Sequence, residues 1–504
     1  MLSRILLLSF FHAAPVRAAG GKDAGAAPPC KALSVNTSAP VFETRPYFAS
    51  FNIDASRQRL FFDVNFTDPR LLYLVSQLGP ARIRLGGTGG NALFYAVGTA
   101  AGGCPPSTPL VLECLNSTLL DAVLAVSAAA SSPLWFGLNM QPVGGGPPAA
   151  PFNASNARAL LEYIHAKDPA AVAAFELGNE LSGKVNASAA AAAFLALDAV
   201  VADVWRGDAA RPALVGPDAN GSPEARAAYL VAFAAASQGR VGGLTYHEYI
   251  GASADNVLNA TFLDRTAENA ATTARIVRAA NSSIDIVAGE IGPHIGQGAN
   301  SSFAHCNNNR LCGRFGSTLW YADAMAASAR GGVAAFFRQD LVGADYALVN
   351  TSAPGSNGTT MLGGFTPSSD YYFLVLWARL VGARVLDAGV SNAGDSVRAY
   401  AFCAAGAPSA ATLVVLNLAA QPRCVKVPAF AAGNVTAYAL TAGDGAGVES
   451  YGVRLNGALL QLGPGGLLPP LAGAPLPAHG SVALPAQSVT LLVVPAAAPL
   501  PACS

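Results

Sequence analysis

Ala174-Phe175-Glu176-Leu177-Gly178-Asn179-Glu180 is an apolar run that stops at an Asn-Glu pair, with the turn-forming Leu181-Ser182-Gly183 behind it. A carboxylate at the C-terminal tip of a buried strand, beside a side-chain amide, is suited to act as a general acid. The blander reading is an acidic residue opening the next helix, where the helix dipole favours negative charge. A second stretch weighs against the blander reading. Val287-Ala288-Gly289-Glu290-Ile291-Gly292 is again an apolar run, a Glu and a Gly-Pro-rich loop, 110 residues downstream of Glu180. One β/α repeat of an eight-fold barrel takes roughly 30–35 residues. The gap therefore corresponds to about three repeats, as between a fourth and a seventh strand.

The flanking sequence fits that spacing. Strand-like apolar runs begin at Arg82, Leu134, Ala171, Ala213, Gly243, Ile284 and Val333, with one more near Arg59, and helical patterns alternate with them. Nearly all-apolar strands alternating with helices imply a parallel sheet buried on both faces. Eight of them make a closed (β/α)8 TIM barrel the economical α/β fold. From about Arg384 short strands between Pro- and Gly-rich turns replace the helices, which is the signature of a β-sandwich. The expected division is a signal peptide at 1–19, a strand segment at 20–55 joining the sandwich, the barrel at 56–383 and the sandwich at 384–504. Pro469 to Pro477 reads as a loop.

Composition narrows the function. The chain has 504 residues, 52% hydrophobic and 12% charged, with zero formal net charge. A large core is possible, and no basic field for nucleic acid or a highly sulfated polymer is visible. Met1-Leu2-Ser3-Arg4, the apolar Ile5 to Phe11 and the small residues around Ala18 read as a secretory signal. A further apolar run long enough for a membrane span is not expected. Asn36, Asn65, Asn116, Asn153, Asn186, Asn220, Asn259, Asn281, Asn300, Asn350, Asn357 and Asn434 all head glycosylation sequons. The eight cysteines suit an oxidising compartment. Cys104 with Cys114 and Cys306 with Cys312 are near enough to close small loops. Cys403 with Cys503 would tie the chain's end to an earlier strand, leaving Cys30 with Cys424 by elimination only.

Two carboxyl groups about 5–5.5 Å apart suffice for glycoside hydrolysis with retention. One protonates the leaving oxygen and the other attacks the anomeric carbon, so the acid's pKa is expected to be raised. Polar residues at other strand ends are candidates to contact a substrate, since barrel sites gather there. They are His247 and Tyr249, Arg338 and Tyr346, Thr88 in the glycine cluster Gly86-Gly87-Thr88-Gly89-Gly90-Asn91, and Asp63 in an early strand Phe61 to Phe66. Glu176 and Glu248 are weaker carboxylate candidates. The glycine cluster lacks the Gly-Lys-Ser/Thr ending of a phosphate loop.

Several stretches together resemble the heparanase-like glycoside hydrolases of family 79. They are Phe61-Phe62-Asp63-Val64-Asn65 before Asp68-Pro69-Arg70, Arg82-Ile83-Arg84-Leu85-Gly86-Gly87-Thr88, Gly178-Asn179-Glu180, Thr245-Tyr246-His247-Glu248-Tyr249 and Gly289-Glu290. Arg338-Gln339 with Gly343-Ala344-Asp345-Tyr346, Asp370-Tyr371-Tyr372 and Arg398 to Cys403 continue the likeness. The resemblance implies Glu180 as acid/base and Glu290 as nucleophile. It implies substrate contacts from Asp63, Thr88, Asn179, His247, Tyr249, Gly296, Arg338 and Tyr346. It implies a retaining β-glucuronidase-type enzyme with no cofactor and no metal, whose partner is a glycan or glucuronide. The other readings are a xylosidase or arabinofuranosidase of the same clan, and a non-catalytic heparan-sulfate-binding homologue. Thr88 to the Leu134 strand leaves no room for an excised linker, so a single-chain enzyme is expected, as a monomer, secreted or in a lysosome, vacuole or cell wall.

Overall fold

The computed structural model describes residues 29–56, 60–98, 103–104, 113–140, 152, 154–281, 283–294, 309–343, 346–351, 364–477 and 480–504. Eight strands close into a parallel barrel: β1 (Ala49–Asp54), β2 (Ile83–Gly86), β3 (Leu134–Leu138), β4 (Val172–Leu177), β5 (Ala213–Ala219), β6 (Gly243–Tyr249), β7 (Asp285–Gly292) and β8 (Ala335–Arg338). A helix follows each strand: α1 (Pro69–Ser76), α2 (Ser117–Ala129), α3 (Ala154–Lys167), α4 (Ala187–Val204), α5 (Pro223–Ala236), α6 (Ala260–Ala280), α7 (Phe315–Arg330) and α8 (Ser369–Leu380). The helix starts are written in the sequence: Asp68, Asn116, Asn186, Ser222 and Asn259 each cap a helix by accepting a hydrogen bond from a first-turn N–H.

The first barrel strand differs from expectation. It is Ala49–Asp54, not a strand near Arg59, and the barrel therefore begins before residue 56. The 20–55 segment is divided: Phe42–Glu43 pairs with Val381–Leu386 of the sandwich, while Ala49–Asp54 pairs with β8 and β2. Residues 60–63 form a turn, so Asp63 is not on a strand. The alternation there is real, but a compact turn uses it: Phe61, Val64 and Phe66 point into the core while Asp63 faces solvent.

Period-two alternation sorts the barrel's residues. Phe51, Ile83, Leu85, Phe136, Phe175, Leu244 and Phe336 face the helix ring, in the main core. Trp135, Ala174, Val215, Val287, Ala335 and Phe337 fill the bottom of the barrel interior as a separate apolar cluster. Above that layer the inward residues turn polar.

The C-terminal region is an antiparallel sandwich packed against α7 and α8. Its large sheet contains Val381–Leu386, Val397–Ala404, Ala407–Asn417, Ser488–Pro495 and Val435–Ala442, and Arg423–Lys426 pairs with Ser481–Leu484 as the second layer. The large sheet's faces divide by alternation. Tyr400, Phe402, Val414, Leu416 and Leu491 join the core of the barrel helices. Ala401, Cys403, Leu413, Val415 and Leu492 pack on Val425, Val482 and Leu484. The proline-rich loop contributes a short strand, Ala474–Leu476, paired with Val435–Ala437. Arg398 locks sandwich to barrel from a fully buried position, donating to Asp323 of α7 and Asp264 of α6 at 2.5 and 2.6 Å. Cys30–Cys424, Cys104–Cys114 and Cys403–Cys503 are disulfides. Cys306 of the Cys306/Cys312 pair lies outside the described residues.

Among the described residues one helix, α4, is long and apolar enough to cross a membrane by length and composition. Phe194, Leu197 and Val201 are buried in the barrel core, and the Phe194 ring lies where a side chain on Gly216 of β5 would have to go.

Candidate active site

Glu180 stands three residues beyond β4 and Glu290 lies within β7, so both are at the C-terminal face of the barrel, where such folds place their chemistry. Two local devices aim them. The chain leaves β4 through Gly178 and Glu180, both in the left-handed region at φ 79° and 55°. Asn91 of the glycine cluster clamps the peptide between them: its side chain accepts from Asn179 N at 2.9 Å and donates to Asn179 O at 2.8 Å. The other device is a β-bulge in β7. Val287 and Gly289 face inward, and the register with β6 then slips between Ala288 and Glu290, so Glu290 faces inward as well. A second irregularity between Gly216 and Ala219 does the same for Asp218 on β5.

Arg84 on β2 is fully buried at the centre of what results. Its guanidinium donates to Glu176 Oε2, to Asp218 Oδ2 at 2.5 Å, to Asn179 Oδ1 at 2.9 Å and to Glu290 Oε2 at 3.2 Å. Tyr249 donates its hydroxyl to the other Glu290 oxygen at 2.5 Å. His247 Nδ1 lies 3.0 Å from Glu180 Oε1 and 3.8 Å from Glu290 Oε2, and its Nε2 lies 3.2 Å from Asp218 Oδ1. Thr245 Oγ1 donates to Asp218 Oδ1 at 2.7 Å. One side-chain ligand atom from each of Glu180, His247 and Glu290 lies within 4.8 Å of the others. One oxygen of each carboxyl group therefore lies within 4.8 Å of one on the other. Among the described residues these three form the cluster of potential ligand atoms close enough together to hold a metal ion. The Arg84 cation beside Glu290 opposes a second positive charge there.

Burial and neighbours set the charges. Burial pushes the Glu176 carboxyl up to about 8 against the opposing Arg84 charge. Burial alone would deprotonate His247, but the negative charges of Glu290 and Asp218 outweigh it and raise the imidazole to about 10. Burial would also raise Asp218, and the Arg84 and His247 charges instead hold it well below the ordinary carboxylate value. Burial raises Glu180 too, yet the His247 hydrogen bond prevails and leaves its carboxyl below the usual range. That is opposite to the raised pKa expected of the acid.

Of the residues named from sequence, Glu180, Glu290, Asn179, His247 and Tyr249 come together. Tyr346 is buried, close enough to Tyr249 to perturb it electrostatically. Thr88 is exposed on the 3-10 turn Thr88–Ala92 after β2. Asp63 is exposed in its turn; the inward carboxylate at the tip of β1 is Asp54, which accepts from Gln339 Nε2 at 2.8 Å. Arg338 points away from the barrel interior, because Ala335 and Phe337 take the inward positions of β8. It donates to Asp370 at the N-terminal end of α8 at 2.6 Å and lies over the Trp320, Tyr321 and Tyr346 rings. Glu248 likewise faces outward, onto Arg226 at 2.6 Å. Gly296 lies outside the described residues. Sequence reasoning missed Arg84, Asp218, Asn91 and Asp54. The signals were Arg-x-Arg before the glycine cluster, Gly-Pro-Asp ending β5, and a strand ending in Asp54-Ala55. The glycine cluster serves close packing: a Cβ on Gly87, at φ 86°, would lie 2.6 Å from the Asp54 carboxyl.

The family model for the N-terminal domain of glycosyl hydrolase family 79 matches residues 54–326. Heparanase-like protein 3 of Arabidopsis thaliana is 26% identical over 68% of the chain, and the match spans 63% of that protein's length. Baicalin-beta-D-glucuronidase of Scutellaria baicalensis is 24% identical over 82% of the chain and 80% of its own length. The solved structure of a 4-O-alpha-L-rhamnosyl-beta-D-glucuronidase from Fusarium oxysporum shares the fold, with a TM-score of 0.62 at 15% identity over 92% of the chain and 100% of that structure.

Proposed function

The chain belongs to glycosyl hydrolase family 79, and from that premise we propose that it is a retaining β-glucuronidase with Glu180 as acid/base and Glu290 as nucleophile. The observation that carries this reading is the approach of the two glutamates to within 4.8 Å across one end of the barrel. Glu290, held at both oxygens by Arg84 and Tyr249, attacks the anomeric carbon as the glycosidic bond breaks. Glu180, with 30% of its side chain exposed, protonates the leaving oxygen. In the second half Glu180 takes a proton from water, whose oxygen displaces Glu290 from the sugar. Asn179, Tyr249, Tyr346, Asp54 and Gln339 line up as sugar contacts, and Arg338 drops out. Similarity to a plant β-D-glucuronidase supports the glucuronide as the −1 sugar. The zero net charge supports a neutral or weakly acidic glycan or glucuronide over a polysulfated chain. Disulfides and a signal-like N-terminus support an extracytoplasmic location.

The test is hydrolysis of 4-nitrophenyl β-D-glucuronide against the matching xyloside and arabinofuranoside, with Glu180→Gln and Glu290→Gln. Turnover of the glucuronide, lost by several orders of magnitude in Glu290→Gln, is the expected outcome. Preference for the arabinofuranoside or xyloside would move the substrate to another sugar, and undiminished activity of Glu290→Gln would remove the nucleophile.

A further inference from the structure

An acid catalyst whose carboxyl is held in its ionised form by a neighbour has to draw its proton from somewhere, and the geometry supplies the source. Resting on the assignment of Glu180 and Glu290 above, we propose that the catalytic proton is stored on His247, which Asp218 orients and which passes it to Glu180 during the first displacement.

The imidazole is 1% exposed in its side chain and spans the two acids, with Nδ1 at 3.0 Å from Glu180 Oε1 and Nε2 at 3.2 Å from Asp218 Oδ1. Asp218 is fully buried and fixed by Thr245 and Arg84, so it orients the ring without reaching a substrate. The charged and titratable groups packed round the ring are Arg84 on β2, Glu176 on β4, Glu180 beyond it, Asp218 on β5, Tyr249 on its own strand and Glu290 on β7. Among these, Glu290 at 3.8 Å is the negative charge that changes during reaction.

The step balances. The C1–O bond breaks, a Glu290 oxygen forms the ester to C1, and the leaving oxygen takes a proton from Glu180. Glu180 takes the Nδ1 proton of His247, leaving the imidazole neutral. Loss of the Glu290 charge removes the largest attraction that kept the imidazolium charged inside the barrel. Deglycosylation reverses the sequence: water gives its proton through Glu180 to Nδ1, its oxygen bonds C1, and Glu290 leaves as the carboxylate. His247 is thus a positioning and proton-holding residue acting through Glu180.

The direct test is side-chain nitrogen NMR of histidine-labelled protein at pH 7, free and after trapping with 2-deoxy-2-fluoro-glucuronyl fluoride. His247 is expected to be doubly protonated in the free enzyme and neutral in the trapped one; the same protonation in both states overturns the proposal. Kinetics gives a second reading. Protonation helps an alkyl leaving group and matters little for 2,4-dinitrophenolate. His247→Gln is therefore expected to lower the methyl-to-dinitrophenyl ratio of kcat/KM by about tenfold or more. Asp218→Asn is expected to move the alkaline limb for the methyl glucuronide to lower pH. Equal losses on both leaving groups, with an unmoved limb, would mean a merely structural role. If wild-type protein neither hydrolyses a glucuronide nor is labelled at Glu290, the assignment beneath the proposal fails, and that outcome is separate from any behaviour of His247.

Discussion

Arg84 is surrounded by three carboxylates, and how many of them are charged is set residue by residue. Glu176 is the one raised to about 8 by burial, so near neutrality it is mostly the neutral acid while Asp218 bears the charge. This has a consequence for stability. A carboxyl that binds its proton more tightly folded than unfolded stabilises fully below its unfolded value, near 4.5, and loses that contribution as pH rises through about 8. His247 runs in the same sense over a higher window: its contribution is complete below 6.5 and is lost as pH rises through about 10. Asp218 runs oppositely, its contribution being lost only in acid. Thermal midpoints are therefore expected to fall from pH 5 towards pH 9. In Glu176→Gln the decline between pH 4.5 and 6.5 should flatten, while the part carried by His247, from pH 6.5 upward, persists. An unchanged profile in that variant would show that Glu176 is ionised throughout.

At the scale of the element, what matters is which side of a strand each residue takes. Expecting Arg338 to contact the substrate followed from its place at the end of β8, but position along a strand does not give the face. Ala335 and Phe337 occupy the inward side, so Arg338 must point outward, and its ion pair with Asp370 ties β8 to α8. Asp370 also accepts from Ser317 and Thr318 of α7, so the cluster joins three elements. Arg338→Met leaves a buried carboxylate without its cation and should cost about 3–5 kcal/mol in denaturant unfolding. The KM for the glucuronide should stay within about twofold, because the missing contact is not to the sugar. A large rise in KM with unchanged stability would restore Arg338 to the binding site. Asp218 and Glu290 illustrate the same rule with the opposite outcome: each faces inward only because a bulge shifts its strand's alternation by one residue.

The whole molecule is held by contacts remote in the chain. The sandwich covers α7 and α8 with Tyr400, Phe402, Val414 and Leu416, and Trp377 of α8 meets Phe402 edge-on at 5.1 Å between ring centres. Cys30–Cys424 pins the N-terminal segment to the second layer of the sandwich across 394 residues. Closing so long a loop restricts the unfolded chain strongly, so the Cys30→Ser/Cys424→Ser double variant should lose about 2–5 kcal/mol of stability. Its kcat should be preserved at temperatures where it stays folded, since neither cysteine lies on a barrel strand that carries the site. Equal thermal midpoints with and without the bridge would count against this.

By itself the sequence determined the alternating β/α order, the change to β-sandwich after the last helix, the helix caps and the two glutamates about three repeats apart. All of these are local patterns, carried by periodicity and by residue types in short windows. Only the tertiary structure decided that the barrel opens with Ala49–Asp54, because the Phe61 to Phe66 alternation serves a turn equally well. It also decided that Asp54 and not Asp63 stands at the rim, that Arg338 belongs to the packing, and that Arg84, Asp218 and His247 form one charged network with the glutamates. The physical reason is that strand parity and barrel closure are global. One bulge reverses every inward and outward assignment beyond it, and groups 134 residues apart, such as Arg84 and Asp218, acquire their charges from each other only once the sheet has closed.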